Sequence, residues 1–131
     1  MPTPDEMRAT LTRYLERVGR RDVEGVVALM SEDVSVEDPV GGPEGTHVVG
    51  RDEVERFFRR GFAYSRPTPL ATGPIRTTGG HEAAMPFLLQ LDLGGRRSEL
   101  DVIDVVTFDD EGRIRRLRAF WDIRDARPAG G

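Results

Sequence analysis

Apolar residues recur at helical spacing in the first part of the chain. Between residues 4 and 20 they form one stripe at positions i, i+4, i+7, i+8 and i+11, which are Met7, Leu11, Tyr14, Leu15 and Val18. This period of about 3.6 residues predicts an amphipathic helix. The same period predicts a short helix over 23–30 and a longer one over 51–63.

The second half of the chain alternates between apolar and polar residues with period two, the pattern of half-buried β-strands. It predicts strands over 81–92, 96–108 and 113–123, joined by turns at 94–95 and 109–112. Shorter strands are predicted over 34–38 and near 69–76, and residues 124–131 are predicted to be a frayed tail. Helices followed by an antiparallel meander predict a single α+β domain over 1–131, in which a strongly curved sheet wraps around two or three helices.

Two aspartates interrupt the apolar rows of these strands. Asp38 follows Val34 and Val36 on one strand face, and Asp104 lies between Val102 and Val106 on another. An inward carboxylate is costly without a partner, so each aspartate is either a satisfied structural acid, a strand-end residue that reaches water, or a functional group. Two such acids in one small domain favour the functional interpretation.

The surroundings of the two acids predict different protonation states. Asp104 has apolar neighbours on both sides of its row, and burial disfavours the charged form of a carboxyl group. A neutral carboxylic acid is a hydrogen-bond donor, so Asp104 could donate to a developing oxyanion. Asp38 ends its strand before a glycine-rich loop, so it is the better candidate for the ionised base. Tyr14 lies in the stripe of the first helix, so its hydroxyl enters the core region, and on this pattern alone it is a core tyrosine.

Composition describes an ordinary globular protein of 131 residues, with 37% hydrophobic and 32% charged residues and a net charge of −4. The absence of a basic cluster argues against nucleic-acid binding. No apolar run is long enough to cross a bilayer, and the first residues lack the pattern of a signal peptide. We therefore expect no membrane association and a cytoplasmic location.

The residue types that are missing restrict the chemistry further. The chain has no cysteine, and all 19 basic residues are arginine. Thiolate nucleophiles, Cys-ligated zinc and Schiff-base lysines are therefore excluded. With His47 and His81 as the only histidines, a site built from several histidines is excluded as well. We expect no metal and no cofactor, and carboxylates, tyrosine and apolar space remain for any catalysis.

The chain closely resembles the bacterial Δ5-3-ketosteroid isomerases in the segment 29–41, LMSEDVSVEDPVG, and in the upstream Tyr14. The segments VID at 102–104 and RAFW at 118–121 fit the same family, so the resemblance extends from residue 3 to about residue 121. It implies the NTF2-like cone fold, a homodimer, and cofactor-independent movement of a C=C bond into conjugation with the ketone of a 3-oxosteroid.

The resemblance also implies roles for single residues. Asp38 matches the general base, Tyr14 and Asp104 match the two oxyanion-hole donors, and Trp121 matches an apolar wall position. The steroid would contact residues of the third helix and of the inner strand rows, namely Phe57, Phe58, Met85, Phe87, Val102 and Trp121. The outward apolar row of Ile103, Val105 and Phe120 would form the dimer interface.

Two departures from the family leave alternatives open. Phe58 stands where some members carry a second tyrosine, and the loop 41–47, which we expect to border the cavity mouth, is a few residues longer. His47 in this loop could also approach the mouth. The rival functions are another NTF2-like reaction, such as polyketide cyclisation or epoxide opening, and a non-catalytic module that binds steroids or other small ligands.

Overall fold

The computed structural model describes residues 1–130, which form three α-helices, eight β-strands and one 3₁₀ turn. In chain order these are α1 (Pro4–Gly19), α2 (Val23–Val27), β1 (Met30–Glu37), β2 (His47–Val49), α3 (Arg51–Ser65), β3 (Thr68–Ala71), β4 (Arg76–Thr77), β5 (Glu82–Leu93), β6 (Arg96–Phe108), β7 (Ile114–Phe120), the 3₁₀ turn (Ile123–Asp125) and β8 (Arg127–Pro128). The predicted α+β layout is confirmed.

The eight strands form one mostly antiparallel sheet in the order β2-β1-β7-β6-β5-β3, with β4 beside β5 and β8 beside β6. The pair β1–β7 is the parallel one within this part of the chain, and it places Val36 opposite Leu117. Because β1 and β7 run in the same direction, their C-terminal ends lie side by side, and the residues that follow the two strands leave the sheet close together.

The first helix begins where the sequence predicts, because its first turn is well capped. The Thr3 hydroxyl accepts from the Glu6 backbone N–H while the Glu6 carboxylate accepts from the Thr3 N–H, and Pro4 fits the first helical position. By contrast, α2 ends three residues before the predicted boundary. The Ile114 backbone N–H donates to the Leu29 carbonyl (2.9 Å), which draws the following residues into β1.

The core lies between the helices and the inner face of the sheet. Burial along β6 alternates as the sequence predicts: Leu100, Val102, Asp104, Val106 and Phe108 are buried, whereas the residues between them point outward. The long hairpin β5–β6 is paired without interruption over twelve residue pairs, with Met85 opposite Asp104, so the alternation of inward and outward side chains is maintained along both strands. One face of β6 therefore carries Asp104 into the interior.

Two predictions about strands need correction. The strand predicted near 69–76 is divided into β3 and β4, and Gly73 and Pro74 lie between them. The last long strand ends at Phe120, because Asp122 caps a 3₁₀ turn by accepting from the Arg124 backbone N–H.

The prediction that residues 124–131 form a frayed tail is wrong for the residues that the structure describes. Residues 127–128 form β8, which pairs with Ser98 and Glu99 of β6. The Arg127 side chain reaches Glu99 and Asp101 on the same strand, which fixes this pairing. Gly131 lies outside the described residues.

Candidate active site

One cavity of about 280 Å³ lies between α1, α3 and the inner face of the sheet. Apolar side chains form most of its wall, as is usual for sites that bind small molecules. Its lining comprises Tyr14, Leu15, Val18, Asp38, Phe57, Phe58, Gly61, Phe62, Tyr64, Ser65, Pro67, Phe87, Leu89, Leu91, Leu93, Leu100, Val102, Asp104, Ala119, Trp121 and Ile123. The three polar residues that the sequence singles out, Tyr14, Asp38 and Asp104, therefore share one cavity.

Asp38 lies immediately after β1, and two backbone contacts hold the chain there. The Asp38 N–H donates to the Thr46 carbonyl (2.8 Å), and the Val40 N–H donates to the Ala119 carbonyl of β7 (2.9 Å). The bond between Asp38 and Pro39 is cis. The carboxyl group is half-buried and faces the cavity.

Trp121 supplies a hydrogen bond to Asp38. Its indole Nε1–H donates to Asp38 Oδ1 at 2.5 Å. A donor favours the charged form of its acceptor, so this bond opposes the effect of burial, which is the larger influence and raises the pKa of Asp38. The family resemblance implied a place for Trp121 in the cavity wall but not this hydrogen bond, and the period-two pattern tells which way a ring faces but not where its N–H points.

Asp104 occupies a more closed position in the middle of β6. It is 2% exposed and lies opposite Met85 on one side and Ala119 on the other. Burial, and secondarily the negative charge of Asp38, holds the pKa of Asp104 well above its usual range, and no hydrogen bond within residues 1–130 opposes this effect. The protonated form, which can donate a hydrogen bond, is therefore favoured.

Tyr14 presents its hydroxyl to the same cavity from α1. Burial, followed by the charges of Asp104 and Asp38, raises the pKa of Tyr14 well above its usual value, so the phenol stays protonated. Its ring meets the edge of Phe58, with centroids 6.4 Å apart and planes at 69°. Phenylalanine cannot hydrogen-bond the Tyr14 hydroxyl, so this hydroxyl is left free to donate into the cavity.

Two carboxyl groups and one phenol share this cavity, and their environments differ. Burial raises the pKa of both acids, but Asp38 alone receives a hydrogen bond that favours its ionised form. The protonated form is therefore favoured more strongly at Asp104 than at Asp38. This arrangement can remove a proton next to a carbonyl group and stabilise the oxyanion that results.

Five of the six residues predicted to contact the substrate line the cavity, namely Phe57, Phe58, Phe87, Val102 and Trp121. The adjacent Phe57 and Phe58 both line it, and their ring planes cross at 81°. Met85 does not line it. Its side chain is fully buried next to a separate groove between α1 and β3, so its proposed substrate contact is corrected.

The loop after Asp38 also differs from expectation. Among the described residues, none between 39 and 56 lines the cavity, so the longer loop does not form its wall. His47 begins β2, where its Nε2 lies 3.1 Å from Ser35 Oγ on the outer face of the sheet. His47 is therefore not part of the cavity. The mouth is formed instead by residues around the end of α3 and by Ile123.

The chain matches the family model of the SnoaL-like domain over residues 11–117. It belongs to the SnoaL-like family. The steroid Δ-isomerase of Nocardioides simplex is 35% identical to it over 116 residues, which cover 88% of this chain and 89% of that protein. The resemblance to the ketosteroid isomerases is thereby confirmed.

The chain is also similar to proteins with other names. The epoxide hydrolase LasB of Streptomyces lasalocidi is 27% identical over 140 residues; the match covers 98% of this chain but 47% of LasB. Among solved structures, the epoxide hydrolase/cyclase-like enzyme SalBIII superposes with a TM-score of 0.86 at 23% identity, covering 98% and 99% of the two chains. The protein RV0760c of Mycobacterium tuberculosis superposes with a TM-score of 0.84 at 24% identity, covering 97% and 98%. These two structures establish the NTF2-like fold.

Two further observations concern membrane-spanning helices and metal sites. No helix within residues 1–130 is long and apolar enough to cross a membrane. The same residues contain no group of three or more His, Cys, Asp or Glu side chains that could hold a metal ion.

Proposed function

We propose that this protein is a steroid Δ-isomerase, which moves a C=C bond from the Δ5 to the Δ4 position of a 3-oxosteroid. The observation that carries the proposal is the unequal environment of two carboxyl groups in one apolar cavity. Asp38 receives a hydrogen bond from Trp121, whereas Asp104 is buried without one and Tyr14 lies beside it. A base and two neutral donors are the groups that an enolisation requires.

The first step is a proton transfer to Asp38. Its ionised carboxylate takes a proton from C4 of the steroid, and the electron pair of that C–H bond moves into the ring to give a dienolate with its negative charge on the 3-oxygen. Asp38 then returns the same proton to C6, and the double bond comes to lie between C4 and C5. Atoms and charge balance without a cofactor, and a positioned base of this kind contributes roughly 10²–10⁴-fold.

Tyr14 and Asp104 stabilise the charge that develops in between. Both hydroxyl groups donate to the dienolate oxygen, and their own raised pKa values keep the protons in place. In a cavity with apolar walls such donors do not have to reorganise, and the loss of one typically lowers the rate by roughly 10²–10³-fold.

The shape and lining of the cavity support an apolar polycyclic substrate. Tyr14 and Asp104 are the buried polar residues of the cavity, and apolar residues from α3, β5 and β6 line it as far as the exposed side chains of Tyr64 and Ile123. A ligand whose ketone reaches Tyr14 and Asp104 would thus cover its remaining length with apolar contacts.

The decisive experiment is to incubate the purified protein with 5-androstene-3,17-dione and follow the ultraviolet absorbance of the conjugated enone. We expect turnover that depends on Asp38. Tight binding of a phenolic steroid without any enone formation would contradict the proposal and favour a non-catalytic binding module.

A second candidate is the opening of an epoxide, which is favoured by the similarity to LasB. In that reaction Asp38 would take the proton from a hydroxyl nucleophile, and protonated Asp104 would give its proton to the epoxide oxygen as the C–O bond breaks. Incubation with an epoxide that carries a hydroxyl group, followed by mass spectrometry and chromatography of the product, separates this function from isomerisation.

We further propose that the protein forms a homodimer through the outer face of the sheet. Ile103 and Phe120 pair across β6 and β7 and remain 48% and 43% exposed. Arg118 and Glu37 lie beside this apolar row and form an ion pair, so a second copy related by a two-fold axis would meet matching apolar and charged groups. Light scattering of wild type and Ile103→Arg tests this, and a monomeric wild type would contradict it.

A further inference from the structure

The segment 121–128, which we call the C-terminal arch, leaves the sheet and returns to it. β7 pairs with β6 as far as the pair of Phe120 with Ile103, and β8 then pairs with the same edge of β6 at Ser98 and Glu99. The intervening residues bulge toward the cavity, where Trp121 and Ile123 form part of the wall. The arch is thus attached to β6 at both ends.

One end of the arch forms a hydrogen bond with Asp38, the base of the proposed reaction. The Trp121 indole N–H donates to Asp38 Oδ1 at 2.5 Å. Trp121 is the first residue after β7, so its position depends on the path that the chain takes immediately afterwards. Ile123, two residues later, lines the mouth of the cavity and is 52% exposed. Trp121 and Ala126 pack partly buried against the core, but the exposed Ile123 between them does not, so core packing holds this part of the arch only in part.

The other end is held by Arg127. Its Nε donates to Glu99 Oε1 (3.0 Å) and its Nη1 to Asp101 Oδ2 (3.1 Å), so one guanidinium group bridges two carboxylates of β6. The Ala129 backbone N–H adds a bond to the Arg97 carbonyl (3.1 Å). A planar guanidinium with several donors fits such a two-acid site better than an ammonium group does.

A second arginine of the arch provides a natural contrast. Arg124 forms its side-chain hydrogen bonds with Asp122, which belongs to the arch itself. It carries the same charge as Arg127 and lies three residues away, but it does not tie the arch to β6. Substitutions at the two positions therefore remove equal charge while only one of them loosens the attachment.

We propose that Arg127 is a positioning residue, which acts through the C-terminal arch to hold the Trp121 N–H on the Asp38 carboxylate. The guanidinium touches neither the cavity nor Asp38. Its effect on catalysis rests on the proposed isomerase function, whereas its effect on Trp121 does not.

The titration of Asp38 with pH is influenced by the groups that face it. α1 contributes Tyr14, β6 contributes Asp104, the arch contributes Trp121, and α3 presents the apolar Phe57 and Phe58. Trp121 is the single tryptophan of the chain. Its fluorescence therefore reports directly on its own surroundings, including whether the carboxyl group next to it carries a proton.

The test measures the emission of Trp121 across pH in wild type, Arg127→Gln and Arg124→Gln. We expect wild type and Arg124→Gln to share one titration midpoint. In Arg127→Gln, the emission should move to longer wavelength and the midpoint to higher pH, because Asp38 loses its donor for part of the time. Arg127→Lys should recover part of the change, since an ammonium group can pair with one of the two acids at a time.

Hydrogen exchange provides a second measurement on the same variants. A partly exposed ion pair changes a local opening equilibrium by up to about fivefold. We expect amides of residues 121–128 to exchange up to about fivefold faster in Arg127→Gln, while the rest of the chain and the melting temperature stay close to wild type. Equal midpoints and equal exchange in wild type and Arg127→Gln would overturn the proposal, as would equal changes in Arg127→Gln and Arg124→Gln.

The variant Asp38→Asn tests whether the fluorescence of Trp121 responds to Asp38. It should abolish the fluorescence transition, and a transition that persists would show that Trp121 does not sense Asp38, which also overturns the proposal. If enone formation is observed, the low-pH limb of kcat/KM should move upward in Arg127→Gln together with the fluorescence midpoint. If no enone forms but the fluorescence behaves as expected, the isomerase function fails and the positioning role of Arg127 stands.

Discussion

The two acids of the cavity differ in where their strands place them. Asp38 stands just beyond the end of β1, where the chain turns away and a neighbouring segment can reach it with the Trp121 N–H. Asp104 stands in the middle of β6, between two hydrogen-bonded strands that carry Met85 and Ala119. A carboxyl group at a strand end can accept a hydrogen bond from a neighbouring segment of the chain. A carboxyl group in the middle of a strand faces only the side chains of its own strand and of the two strands beside it.

This difference suits the two carboxyl groups to the opposite tasks that we propose for them. Both pKa values rise through burial, but the hydrogen bond at Asp38 favours the charge that a base needs, and the apolar surroundings of Asp104 favour the proton that a donor needs. In the proposed mechanism, strand position and one indole N–H therefore separate the base, Asp38, from the neutral donor, Asp104.

The largest expected effect comes from removing the base. Asp38→Asn keeps the size of the side chain but cannot accept the C4 proton, so enone formation should fall by roughly 10²–10⁴-fold or more. Binding of a phenolic steroid, measured by fluorescence, should be retained. Turnover within a factor of two of wild type would exclude Asp38 as the base.

The next largest effect concerns the donor in the middle of its strand. Asp104→Leu removes the hydrogen bond to the oxyanion and should lower kcat by roughly 10²–10³-fold. Asp104→Asn keeps an N–H donor and should lose less. If both variants lose equally, donation by Asp104 is not what the reaction uses. Tyr14→Phe serves as the matched control, since it removes the other donor without touching either acid.

A smaller effect is expected from the hydrogen bond that distinguishes the two acids. Trp121→Phe keeps an aromatic wall but removes the N–H that opposes the rise in the pKa of Asp38. The low-pH limb of kcat/KM should move to higher pH. At a pH below the midpoint, kcat/KM should fall by up to about tenfold for each pH unit by which the midpoint moves. A limb that stays in place would mean that this contact does not tune the base.

The two acids also differ in their expected effect on stability. A carboxyl group whose pKa is raised by folding holds its proton more tightly in the folded state, so wild type loses stability as the pH rises from about 4 toward the folded pKa. Replacing the group removes this loss, which amounts to about 1.4 kcal/mol for each pH unit between the unfolded and the folded pKa.

We therefore expect Asp104→Asn to gain stability relative to wild type as the pH rises above about 4, and Asp38→Asn to gain less, because Trp121 offsets part of its burial. Urea unfolding across this acidic-to-neutral range measures both differences. A larger gain at position 38 than at position 104 would reverse the proposed assignment of the proton.

Much of this site could be predicted from the sequence, because period-two alternation fixes which residues share a strand face. The phase of β6 identified Asp104 as inward, and the helical stripe placed Tyr14 on the inner side of α1, where the structure has both. The bounds of β6 were also predicted correctly, since turn residues flank a regular alternation.

The sequence pattern did not predict features that depend on how far the cavity extends along a strand, or on which partner a single polar group meets. Met85 shares a row with Phe87, yet the cavity ends before it, since α1 covers the beginning of that row. Residues 127–128 pair with β6, and Arg127 meets two acids 28 and 26 residues earlier in the chain, contacts that no local pattern contains. The same holds for the indole N–H of Trp121.

The parallel pairing of β1 with β7 also determines when the site can form. Asp38 and Trp121 lie 83 residues apart in sequence, and they meet only because their strands run side by side in the same direction. Contacts between such distant residues form late in folding, since a long loop must close first. In a refolding experiment, helix signal should therefore recover before Trp121 fluorescence and catalytic turnover do. During synthesis, Asp38 is made 83 residues before Trp121, so its hydrogen-bond donor appears only after β1 to β7 have been translated.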